Sequence, residues 1–129
     1  MSELPKIKTP QRPGYALDEY PHAIAKAQTY ITNLEQDIAA TKAEITVVEQ
    51  TIDQQIAFDK ELKNDGQRKA KRKELLAQDP GYDLLTGRLD STKRTKSRAE
   101  IRLNLLVNQF TVAKIEARAA TARQLSIAA

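Results

Sequence analysis

At 129 residues with no cysteine and one histidine, the chain has the length of a single domain, and its composition argues against a disulfide framework, a thiolate metal site or a protein-only zinc site. Hydrophobic residues make up 40% and charged residues 29%, but there are only four Tyr, two Phe and no Trp; long helices sharing a narrow seam are expected, not a core with aromatic anchors. The formal charge is +4; with no apolar leader and no run near the roughly 20 residues of a membrane span, a cytoplasmic protein that engages no membrane is expected.

Residues 1–15 carry Pro5, Pro10 and Pro13 with three basic residues, and read as a flexible Pro-rich basic arm. The rest, 16–129, reads as one helical unit. Its first helix is expected over about 17–63. Counting in sevens from Leu17 reaches Ile24, Ile31, Ile38, Ile45 and Ile52, and the positions three residues on are Tyr20, Ala27, Leu34, Thr41, Val48, Gln55 and Leu62. That is the period of a left-handed coiled coil, and such a stripe needs a second helix to cover it. Asp18 and Glu19 suit the amino end of the helix dipole, and Pro21 is tolerated only in a first turn. Between residues 18 and 59, eight acids stand against Lys26 and Lys42, a net of −6.

Asn64-Asp65-Gly66 is read as the end of that helix and the start of a short basic connector over about 64–82, with Asp65 as the cap of the new segment. Asp79-Pro80 is the second start signal. A second long helix follows over about 83–127, its seam including Leu103, Leu106 and Phe110, with Gly87 as a weak point in its first turns. Polar residues at Thr41, Gln55, Thr92 and Lys96 interrupt the two seams, where they help to fix register.

Reversal through 64–82 sets Ile52 near Thr95 and Asp59 near Arg88. The acidic first helix then faces Arg88, Lys93, Arg94, Lys96, Arg98 and Arg102. A first helix running on through Gly66 to a turn at Pro80 is the alternative, but it opposes like charges along the seam. The expected fold is therefore all-α: an antiparallel two-helix coiled-coil hairpin with a short basic helical connector. A second apolar row beside the seam, including Ile101, Leu105, Val112 and Ile115, is wider than one partner covers. It predicts a homodimer forming a four-helix assembly.

No constellation for catalysis stands out. There is no phosphate-binding glycine loop, no nucleophile elbow and no His-Glu pair at helical spacing, so neither catalytic residues, nor metal ligands, nor a cofactor is expected. His22 reads as a solvated residue at a helix start. Residues 60–102 hold thirteen Lys and Arg against seven acids, a net of +6. Within them Arg68, Lys69, Lys71, Arg72 and Lys73 have no evident acidic partners. They are candidates for contact with an acidic protein or with DNA or RNA phosphates, weakly sequence-specific because only Tyr82 offers a ring to a base. The leading functional expectation is a structural or adaptor protein that mediates protein–protein contact; nucleic-acid binding by the basic tip is the alternative.

The run Lys63-Asn64-Asp65-Gly66-Gln67-Arg68-Lys69-Ala70, followed by Glu74-Leu75-Leu76 and Asp79-Pro80-Gly81-Tyr82, resembles small coiled-coil proteins of bacteriophage or mobile-element type. About twenty residues carry the likeness. It implies a small accessory protein linked to replication or recombination, and assigns no residue a role.

Overall fold

The computed structural model describes residues 15–128, so the expected Pro-rich arm falls, but for Tyr15, outside the described residues. These residues are all-α: a 3₁₀ turn at Leu17–Glu19 leads into α1 (Tyr20–Ala57), followed by α2 (Asp65–Gln78) and α3 (Pro80–Ala128). No helix among them is long and apolar enough to cross a membrane.

Each boundary has a local cause. Before α1, the Ala16 backbone N–H donates to the Glu19 carboxylate at 2.7 Å. Pro21 then sits in the first turn, where its missing donor costs nothing. α1 stops at Ala57, short of the expected Lys63. Asp59 supplies the reason, because its carboxylate accepts the Glu61 N–H at 2.9 Å and so offers the chain a turn in place of the next helical bond. The cap of α2 is Asn64, not Asp65. Asn64 is extended (φ −148, ψ 171) and its side chain accepts the Gln67 N–H at 2.9 Å. Gln67 reciprocates by accepting the Lys63 N–H at 2.6 Å. Gly66 therefore lies inside the first turn of α2 and ends nothing. Asp79 breaks the backbone for one residue (ψ 111) and accepts the Tyr82 N–H at 2.9 Å, with Pro80 as the first residue of α3. Gly87 is an interior residue of α3, which continues through it.

The described chain divides into two compact units, one holding the residues up to Ile31 with those from Ala99 onward, the other Thr32–Arg98. In the Thr32–Arg98 unit, Ile52, Ile56 and Leu76 form the buried centre, with Val48, Leu62, Leu75 and Tyr82 packed against it. The basic connector thus folds back along α1 and inserts its only leucines. That shifts the register expected from the hairpin. Arg88 meets Asp37 at 2.6 Å, not Asp59, and Lys96 meets Glu35 at 3.4 Å. These two pairs run in opposite senses along α1 and α3, which are antiparallel here. The displacement has a simple origin: α2 already covers the last turns of α1, so α3 pairs with earlier ones. Gln55, expected in the seam, is exposed, and Ile56 beside it is buried instead.

Thr41 is fully buried, and its hydroxyl donates to the Asp37 carbonyl one turn back at 2.8 Å. The polar seam position is thereby satisfied within its own helix. In the other unit, Tyr20 is 2% exposed and stacks on Phe110 with centroids 5.4 Å apart, while the tilted Tyr15 ring lies 5.5 Å from that of Tyr20. Of the expected seam residues, Ile31, Ile45 and Ile52 are buried, and Ile24, Ile38, Leu103, Leu106 and Phe110 half-buried. Leu17, like Gln55, departs from the expectation. It lies in the 3₁₀ turn ahead of α1 and is exposed, because Tyr20 takes the first core place.

Candidate interaction surfaces

Two rows of apolar side chains run down α3 after Ala99. A helix buries a stripe only as wide as its neighbour covers. Leu103, Leu106, Phe110, Ala113, Ala117 and Ala120 are half-buried, and they form the covered row. The adjacent row is left open: Ile101 is 69% exposed, Leu105 53%, Val112 51% and Ile115 57%. Single exposed leucines are ordinary on a protein surface, but here four aliphatic residues share one helix face, interrupted only by Asn108. Arg102 and Glu116 are exposed residues directly after Ile101 and Ile115.

The five basic residues of α2 are less available than their sequence suggests. Arg72 is turned to α1, where its guanidinium donates to Asp53 at 2.7 Å and lies 3.9 Å from Glu49. The hydrogen bond to Asp53 holds that guanidinium even more firmly charged than an ordinary arginine. Arg68 pairs with Asp65 at 3.2 Å and Lys71 with Glu74 at 3.6 Å, both exposed pairs within one turn of helix. Lys69 and Lys73, four residues apart on the exposed side of α2, make no ion pair among the described residues. Setting α2 at a tip, away from Glu49 and Asp53, is what leaves Arg72 without a partner in the sequence reading. Of the six cations expected to face the acids of α1, Arg88 and Lys96 do so, whereas Lys93, Arg94, Arg98 and Arg102 make no ion pair among the described residues.

From sequence Asp37 is one of the acids read as solvated or salt-bridging flanks of the coiled coil, and in the structure it takes two partners. One carboxylate oxygen holds Arg88 at 2.6 Å and the other accepts the Thr92 hydroxyl at 3.4 Å. From sequence Thr92 is only a polar interruption of the seam, and its spacing of four from Arg88 is the available signal.

A cleft of about 400 Å³ lies between α1, α2 and the start of α3, lined by Val47, Thr51, Gln55, Leu75, Gln78 and Pro80 among others. Its polar groups do not converge. The Thr51 hydroxyl is used by the Val47 carbonyl, and Asp79 by the cap of α3. Among the described residues no three His, Asp or Glu side chains gather as a metal site would require. His22 is exposed beside Asp18, Glu19 and Lys26. Compared with known protein families, with curated proteins and with solved structures, the chain matches none.

Proposed function

We propose that this chain is a non-enzymatic helical adaptor: α1 and α3 form an antiparallel coiled-coil hairpin, α2 is its connector, and the open row of α3 docks helices of a partner. The simplest such assembly is four helices from two copies. The observation that carries this reading is the exposure of Ile101, Leu105, Val112 and Ile115 on one helix face, each at least half open to solvent. Exposed apolar patches of this kind mark protein interaction sites. The test is retention on the immobilised full-length chain of protein, whether free copies of the chain or components of a cell extract. The variant Leu105→Glu/Ile115→Glu is expected to retain none while keeping its helical circular dichroism. Equal retention by variant and parent sinks the reading.

A second reading, contact with nucleic-acid phosphates, is supported by the unpaired Lys69 and Lys73 on one side of α2. It agrees with the accessory role that the likeness over residues 63–82 implies. Two lysines release few counterions, so the affinity would be weak and its salt slope shallow, about −2 at most on B-DNA. Fluorescence anisotropy of labelled DNA and RNA at low and physiological salt measures this directly. Binding that Lys69→Gln/Lys73→Gln removes favours it, and no binding at low salt retires it.

A further inference from the structure

We infer that the open row of α3 receives a second copy of the same row in antiparallel alignment, with Arg102 of each protomer paired to Glu116 of the other. The inference rests on the reading of that row as a docking face and adds its occupant and its geometry.

The row advances from Ile101 to Leu105, Asn108, Val112 and Ile115 in alternating steps of four and three, the seven-residue spacing by which one helix seats against another. Two such rows laid antiparallel bring Leu105 of one protomer level with Ile115 of its partner, and Val112 level with Asn108. Ile101 then lies level with Ala119, so each of the four exposed aliphatic residues of the row has a side chain opposite it. In the same alignment Arg102 and Glu116, which immediately follow Ile101 and Ile115, flank the seam on one side. They are offset by about two residues, or roughly 3 Å along the axis, within reach of a long side chain. The two-fold axis makes this contact twice.

A parallel alignment lacks these pairs. It sets the residue before one seam position against the residue five places on in the other copy, which brings Arg118 against Arg123. Opposite charges in one orientation and like charges in the other decide between them. Glu116 also has an interaction within its own chain. That does not exclude the contact, because a carboxylate accepts several donors at once.

The test is sedimentation equilibrium of the full chain and two single-charge variants. The parent is expected to be a dimer. Arg102→Glu sets a second carboxylate against Glu116 at both contacts, and Glu116→Arg opposes two guanidinium groups. Each alone is expected to raise the dimer dissociation constant about tenfold or more, as loss and inversion of two exposed pairs implies. Mixed one to one, the two variants are expected to form a heterodimer as tight as the parent, since both contacts again join opposite charges. The double variant Arg102→Glu/Glu116→Arg is expected to recover likewise. Recovery requires both variants to be folded, so it separates a charge effect from misfolding. A monomeric parent, or a mixture no tighter than either variant alone, overturns the inference. If the parent is monomeric yet Leu105→Glu/Ile115→Glu abolishes capture of another protein, the pairing falls and the docking face stands. If that double glutamate variant changes neither self-association nor capture, both fall.

Discussion

Replacing Ile52 by Ala is expected to cost about 2–5 kcal/mol, the range for truncating a buried aliphatic side chain where the surroundings cannot close in. Ile52 is 5% exposed and sits between Ile56 of its own helix and Leu76 of α2, with Val48, Leu62, Leu75 and Tyr82 around them. Three helices meet there. A domain of this size holds roughly 5–15 kcal/mol in total, so one truncation removes a large share. In urea denaturation followed at 222 nm, the midpoint should fall while the slope is unchanged. The thermal midpoint should drop by roughly 10 °C. Both are to be compared at equal protein concentration, because any self-association adds to apparent stability. A shift below about 1 kcal/mol would mean that this centre is not the packed core.

Replacing Tyr20 by Ala should be comparably severe, about 3–5 kcal/mol by analogy with other buried aromatic truncations. Tyr20 is almost completely buried, and it lies against Phe110 with ring planes only 17° apart. Phe110 in turn carries Lys114 over its ring, with the ammonium 4.4 Å from the centroid. The comparison with Tyr20→Leu separates the two contributions. Leucine keeps most of the buried area but loses the ring–ring contact, worth about 0.5–1.5 kcal/mol. Hydrogen exchange should show the loss of protection centred on residues 20–31 and 103–113. An alanine variant with unchanged exchange there would show that the stack is not what holds these segments.

The helical character was legible because the isoleucine spacing is regular: Ile31, Ile45 and Ile52 are buried where the seven-residue count put them. The covered row of α3 was legible for the same reason. The turns were less so. Asn64 and Asp65 are both good caps, and only the side-chain geometry at Gln67 distinguishes them. The end of α1 depended on the Asp59 side chain bonding forward to Glu61, a choice that propensity does not encode. The register was hidden for a different reason. Arg68 to Lys73 dominate the connector, and their charge masks Leu75 and Leu76. Those two leucines decide where α2 packs, because burying them outweighs the weak pull of exposed ion pairs. Once α2 lies on α1, Arg72 reaches Glu49 and Asp53, and the candidate basic surface shrinks. The open row of α3 was readable in advance because it needs no tertiary information: it is an excess of aliphatic residues over what one neighbour can cover.

The return of α2 along α1 also sets an order of assembly. The contact from Arg72 to Asp53 closes a loop of 19 residues, whereas that from Arg88 to Asp37 closes one of 51. Loop-closure entropy rises with the logarithm of length, so the longer closure alone costs about 0.9 kcal/mol more. The short one is also complete in a growing chain before most of α3 has been made. On loop-closure entropy alone, then, α3 meets α1 from a turn that is already closed.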